Sequence, residues 1–162
     1  MKHTIFVFAF SLLSTEVHAF TETEARACVQ VGIDQAKQIG DLQPFINAQV
    51  HIDSLAAQAV WGAWRVNWDN LSDAERNIAR VATESYLTDV DALSDINRDT
   101  ISLDRPGTEK LLKSGVIQVD GYFETTSGKR EIFSIRVSAG CYIVDADWQN
   151  IRLSNRIAGK LR

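Results

Sequence analysis

The stretch Ile52-Asp53-Ser54-Leu55-Ala56-Ala57-Gln58-Ala59-Val60-Trp61-Gly62-Ala63-Trp64-Arg65-Val66-Asn67-Trp68 decides how this chain is read, because it is apolar on two opposite sides. Ile52, Leu55, Ala56, Ala59 and Ala63 recur at helical spacing and form one stripe. Trp61, Trp64 and Trp68 follow an i, i+3, i+7 spacing and, at about 100° per residue, fall nearly opposite that stripe. An ordinary surface helix keeps one face wet. A helix greasy on both sides is either sandwiched in a core or lines an apolar cavity.

Upstream, Thr21 to Ile39 reads as a helix, with Thr21 and Glu24 as a candidate capping box and Gly40 at its end. Leu42-Gln43-Pro44 is a turn that sets Pro44 at a helix start. Phe45 to Val50 leads into the tryptophan helix, which the pattern carries to Trp68 before Asp69-Asn70 breaks it. Downstream, Ser72 and Glu75 make a second capping box. The helix that follows is expected to bury Ile78, Val81, Ala82, Tyr86, Val90 and Leu93, with Glu75, Arg76, Arg80 and Glu84 in water.

After Leu93 the hydrophobic period changes to two. Thr100–Leu103 is a short strand. Val116–Phe123 places Ile117, Val119 and Phe123 on one side, and Glu131–Val137 does the same with Phe133, Ile135 and Val137. Ser127-Gly128-Lys129 and Ala139-Gly140 are turns, and Cys141–Trp148 is the last long strand. Arg152–Leu161 reads as a short terminal helix. Helices first and an antiparallel meander after them predict an α+β fold. The expectation is a twisted sheet of about four strands that encloses an apolar cavity against the helices.

The N-terminus has the marks of an export signal. Lys2 and His3 form a short basic region, Ile5–Leu13 is apolar but for Ser11, and Val17-His18-Ala19 carries the small-residue pattern of a cleavage site. Cleavage after Ala19 is predicted. The apolar run is too short to span a bilayer, which takes about 20 residues. A single exported, periplasmic domain, Phe20–Arg162, is therefore expected. Cys28 and Cys141 are a candidate disulfide in an oxidising compartment. Whether they are bridged depends on how closely their Cα atoms approach, which the sequence leaves open.

The chemistry on offer is narrow. With 17 Lys and Arg against 21 Asp and Glu, the net charge is −4 and no basic cluster suits nucleic acid. His51 is the one histidine beyond the leader, so multi-histidine metal sites and a Ser-His-Asp relay are not expected, and no cofactor motif is present. A histidine just ahead of an apolar helix is usually structural. Asp145 and Asp147, two apart on a strand, project from one face and could serve a hydrolase if they lay in a cleft. The plainer expectation is a solvated face or an anchored loop. No catalytic residue and no metal ligand is assigned.

Several segments resemble the MlaC family of periplasmic phospholipid-binding proteins, also described as toluene-tolerance or auxiliary ABC-transport components. Phe45-Ile46-Asn47-Ala48-Gln49-Val50-His51-Ile52-Asp53, continuing through Leu55-Ala56 and Gly62 to Trp68, is similar to the family's helix entry and helix end. Trp68 and Leu71-Ser72-Asp73-Ala74-Glu75-Arg76 are similar to its next helix start. Cys141-Tyr142-Ile143-Val144-Asp145 resembles its final strand, with Asn150-Ile151-Arg152-Leu153 in the place of the turn after it.

The resemblance implies a twisted sheet and a helical subdomain with acyl chains between them. It implies no chemistry on the lipid. It further implies a carrier that moves phospholipid between an outer-membrane lipoprotein complex and an inner-membrane ABC transporter complex. On that basis the lipid-contacting residues are expected among Trp61, Trp64, Trp68, Val81, Tyr86, Ile117, Val119, Phe123, Phe133, Ile135 and Ile143. The alternative expectation is an exported binding or adaptor module whose core is filled and takes no lipid.

Overall fold

Thr21 starts the first helix, α1 (Glu22–Ile39), by a reciprocal cap. Its hydroxyl accepts the Glu24 backbone N–H at 3.3 Å, and the Glu24 carboxylate accepts the Thr21 backbone N–H at 2.8 Å. Gly40 ends the helix in the left-handed conformation (φ 77°) that glycine adopts without penalty. The computed structural model describes residues 19–89, 94–148 and 151–162. All but Ala19 of the expected leader, residues 1–19, lies outside the described residues, as do Val90 and Leu93 of the expected fourth-helix stripe and Asn150 of the expected turn.

A short helix, α2 (Gln43–Gln49), carries Pro44 in its first turn. At its end Val50 pairs in parallel with Ile143, and the His51 backbone N–H donates to the Ile143 carbonyl at 2.9 Å. The chain thus touches the sheet before α3 (Ile52–Trp64) begins. His51, the one histidine among the described residues, caps α3 by accepting the Ser54 backbone N–H on Nδ1 at 3.2 Å, a structural use.

α3 stops a turn earlier than the pattern suggested. Arg65 adopts a left-handed conformation (φ 58°), Asn67 is extended, and Trp68 begins a 3₁₀ turn, Trp68–Asn70. Trp68 therefore does not share a helical face with Trp61 and Trp64. Val66 and Asn67 are poor helix formers, so little local preference opposes the break.

α4 (Asp73–Leu87) begins with the Ser72–Glu75 capping box, and its buried residues are Ala79, Thr83 and Leu87. The expected stripe was Ile78, Val81, Ala82 and Tyr86, yet Ile78 is 56% and Val81 54% exposed. The helix is turned by about one residue. Ala79 packs with Ala56 and Val60 of α3, where only a small side chain allows close approach. Arg80 makes a two-pronged ion pair with Asp53 at 2.6 and 2.9 Å, and the Thr83 hydroxyl donates to the Ala79 carbonyl at 2.8 Å. The Thr83 bond lies within α4, while Arg80 links the helix to α3 and Ile78 and Val81 stay outside.

The sheet is antiparallel and open. Its strands are β1 (Ile96–Leu103), β2 (Lys110–Leu111), β3 (Ile117–Thr125), β4 (Arg130–Ser138), β5 (Tyr142–Trp148) and β6 (Ile151–Arg152). They run in the order β1-β3-β4-β5-β6, with β2 also on β3. A terminal helix, α5 (Leu153–Lys160), follows. The fold is α+β, with five helices and a six-stranded sheet among the described residues. The two strands beyond the four expected are only two residues long.

Two apolar cores result. α1 lies across one face of the sheet, where Ala25, Val29 and Ile33 pack on Ile101, Leu103, Ile117, Val119, Phe123, Phe133 and Val137. Cys28 and Cys141 are joined in a disulfide, with their Cα atoms 5.6 Å apart. This link ties α1 to the β4–β5 turn and contributes about 2–4 kcal/mol by restricting the unfolded chain. The second core is helical. Leu55 and Ala59 of α3 meet Leu153, Ile157 and Ala158 of α5, while Ala56 and Val60 meet Ala79 of α4. Both helix contacts come from the Leu55, Ala56 and Ala59 stripe and the adjoining Val60, while Trp61 on the other side is exposed.

Candidate functional site

The two cores meet at an apolar pocket of about 120 Å³. Ile33 of α1, Leu42 and Ile46 at α2, Val50, Tyr86 and Leu87 of α4, and Leu153 of α5 line its helical side. Ile96 and Ile101 of β1, Phe123 of β3, Phe133 and Ile135 of β4, and Ile143, Ala146, Asp147 and Trp148 of β5 line its sheet side.

An irregularity in β5 builds the sheet wall. Val137 pairs with Ile143 but Arg136 pairs with Asp145, so Val144 is an extra residue. Such a bulge shifts the alternation of faces by one. Ile143 precedes the shift and reaches the pocket. After it, Ala146 and Trp148 reach the same pocket, opposite Ile135 and Phe133. Gly121 assists on β3: a Cβ there would come 2.5 Å from the Phe133 ring, so only glycine lets that ring lie across the strand. Trp148 is held from behind. The Arg156 guanidinium stacks on its ring at 4.9 Å and donates to its carbonyl at 3.3 Å. Tyr86 is half-buried, and its hydroxyl has no protein partner among the described residues.

Size limits what the pocket holds as it stands. An apolar cavity of about 150 Å³ takes one benzene ring, and sites for larger small molecules run from about 300 Å³ upward. The pocket therefore has room for a short stretch of hydrocarbon and not for a pair of chains.

The expected lipid-contacting residues divide by position. Tyr86, Phe123, Phe133, Ile135 and Ile143 line the pocket. Ile117 and Val119 are fully buried beneath α1 and do not. Trp64 is fixed by its Nε1–H, which donates to the Leu161 carbonyl at 3.0 Å. Trp68 lies beneath the Arg80 guanidinium, 5.5 Å from its ring centre. Trp61 is 51% exposed. Val81 lines a separate groove on the outer side of α4 with Ile78, Ala82 and Tyr86. The sequence reading missed Ala146 and Trp148 because the bulge cannot be seen in a period-two pattern. It missed Leu42 and Ile46 because α2 is too short to show a period.

The far face of the sheet is polar. Asp120 accepts from the Ser134 hydroxyl at 2.6 Å, from Gln118 at 2.7 Å and from Lys110 at 3.2 Å. Burial pushes its carboxyl up, but these bonds together hold it below the usual aspartate range. The bulge turns Asp145 and Asp147 to this face, where Arg136 serves both. Its guanidinium is 3.7 Å from Asp145 and 2.9 Å from Asp147.

Asp145 is fully buried under the start of α5. It accepts the Ser154 backbone N–H at 3.2 Å and the Ser154 hydroxyl at 3.1 Å, and so acts as the cap that α5 lacks locally. Burial is the largest influence and pushes its carboxyl above the ordinary range. Both carboxylates are thus engaged within the protein: Asp147 borders the apolar pocket, but its carboxylate is held by Arg136, which also faces Asp145. Among the described residues no three potential metal ligands gather, and no helix is long and apolar enough to cross a membrane.

No family model matches the chain, and no curated protein matches it.

Proposed function

We propose that this protein is an exported lipid carrier of the kind the MlaC resemblance implies. It shelters acyl chain in the pocket between sheet and helices and moves phospholipid between an outer-membrane lipoprotein complex and an inner-membrane ABC transporter complex. The observation that supports this reading is the hydrocarbon-lined pocket where the two cores meet. Each CH₂ brought out of water is worth about 0.8 kcal/mol, so a free acyl chain is costly by about 10 kcal/mol or more. A carrier need only match the bilayer's apolarity, after which transfer is nearly neutral and its direction comes from the partners.

Loading requires the pocket to widen. Tyr86 is the wall residue suited to move, since its hydroxyl has no protein bond to break and its ring borders the outer groove on α4. One chain enters by this account, and the volume favours a single-chain load over a double one. The small volume also favours a second reading, an exported adaptor or binding module with a filled core.

Native mass spectrometry of gently purified protein separates the two. The carrier retains a phospholipid mass or, once stripped, takes up a lysophospholipid from solution. Ala146→Phe, which fills the pocket from β5, abolishes uptake while the protein keeps its melting temperature within a few degrees. A stripped wild-type protein that takes up no chain-bearing lipid leaves the adaptor reading standing.

A further inference from the structure

A polar cleft adjoins the apolar pocket. Asp41, Leu42, Gln43, Thr88, Ser94, Ile96 and Arg98 line it, enclosing about 400 Å³ open to solvent. Leu42 and Ile96 also line the apolar pocket, so the two spaces meet at these side chains. From inside to outside the lining passes from hydrocarbon to amide, hydroxyl and opposite charges. That gradient matches an amphiphile whose chain points inward.

Arg98 is exposed and makes no hydrogen bond or ion pair with another described residue. Its guanidinium rests over Gly40, where an added Cβ would lie 3.4 Å from Nη2. Gly40 ends α1, and the carbonyl end of a helix favours a cation. The guanidinium thus lies beside the C-terminal end of α1 with its donors free. Asp41, the other charge lining the cleft, accepts the Gln43 backbone N–H at 2.9 Å and forms no salt bridge with Arg98. A cation and an anion that share a cleft without pairing leave each able to meet the opposite charge of a ligand.

We propose that this cleft is the headgroup site, with Arg98 binding a phosphate and Asp41 binding an ammonium group, so that the preferred load is a zwitterionic amino-phospholipid. Arg98 offers a planar fork of donors suited to phosphate oxygens. The inference rests on the reading that the neighbouring pocket takes an acyl chain.

Titration calorimetry or tryptophan fluorescence tests it with three probes. Lysophosphatidylethanolamine has chain and head, a monoacylglycerol has the same chain with a neutral head, and glycerophosphoethanolamine has the head alone. Wild type binds the lysophospholipid about tenfold more tightly than the monoacylglycerol and binds the chainless head weakly. Arg98→Gln removes the preference and leaves monoacylglycerol binding unchanged. Asp41→Asn keeps the cap on Gln43 and lowers affinity for the ethanolamine head while sparing lysophosphatidylglycerol.

Equal lysophospholipid binding by wild type and Arg98→Gln, with binding still lost in Ala146→Phe, overturns the headgroup site and leaves the carrier intact. Tight binding of glycerophosphoethanolamine that depends on Arg98 shows a site for free phosphate esters and overturns the lipid form of the proposal. Failure of every chain-bearing probe on the wild type overturns the carrier and the headgroup site together.

Discussion

The α1–sheet half and the α3–α4–α5 half of this protein are held together in different ways. The first is built from large aliphatic and aromatic side chains, with Ile33, Ile117, Val119 and Phe123 buried and a disulfide across them. The second interleaves Leu55, Val60, Leu153 and Ile157 with small residues where its helices touch. Ala56, Ala59, Ala79 and Ala158 are buried, and a Cβ on Gly62 would already come 3.3 Å from Ala158. Its polar ties are specific: Asp53 to Arg80, Trp64 to the Leu161 carbonyl, and Asp145 to Ser154. A core of large side chains gains from each methyl group it hides. An alanine at a helix contact gains from close approach and leaves little room for a larger side chain.

The halves should therefore fail to opposite changes. Ile117→Ala removes buried carbons from the centre of the sheet core and is expected to cost about 2–5 kcal/mol in a urea melt. At the α3–α4 contact, where Ala56 meets Ala79, the damaging change is an addition. Ala56→Leu inserts carbons between α3 and α4 and is expected to cost about 1–3 kcal/mol. If Ala56→Leu proves neutral, the helical layer is loosely packed and the contrast fails.

The same contrast explains what could be read from the sequence. The starts of α1 and α4 were legible because a capping box is a local device of four residues: Thr21 with Glu24, Ser72 with Glu75. The inner faces of β3 and β4 were legible because large side chains alternate there and hydrophobicity decides their direction. In the helical layer the rule weakens. Ala79 and Thr83 are buried and Ile78 and Val81 are not, because the small Ala79 side chain lets α4 approach Ala56 and Val60 of α3 closely.

The pocket was half legible for the same reason. Phe123, Phe133, Ile135 and Ile143 follow the strand period, while Ala146 and Trp148 reach it only through one inserted residue in β5. The three tryptophans, the loudest signal in the chain, serve packing and surface and do not line the pocket.

The smallest effect is one of sign and not of size, and it concerns the two aspartates that tie the helical layer. Asp53 is held below the usual range, chiefly by its hydrogen bonds from Arg80. Its contribution to stability is therefore present above the ordinary aspartate pKa of about 3.9 and is lost as pH falls through the depressed value. Both side chains are over a third exposed, at 39% and 43%, so the amount is below about 1 kcal/mol. Asp145 runs the other way. Burial raises its carboxyl despite the Ser154 and Ala146 donors, so the protonated form suits the folded state. Its contribution is complete below about pH 3.9 and declines as pH rises through the raised value. Urea melts from pH 3 to pH 6 check the pair. Asp53→Asn should flatten the loss of stability on the acid side. Asp145→Asn should gain relative to wild type as pH rises, whatever constant offset its weaker cap on α5 introduces. The slopes carry the test, because a lost cap shifts a curve without tilting it. Two slopes of the same sign would mean that Asp145 is as well solvated as Asp53, and that α5 does not seal it from water.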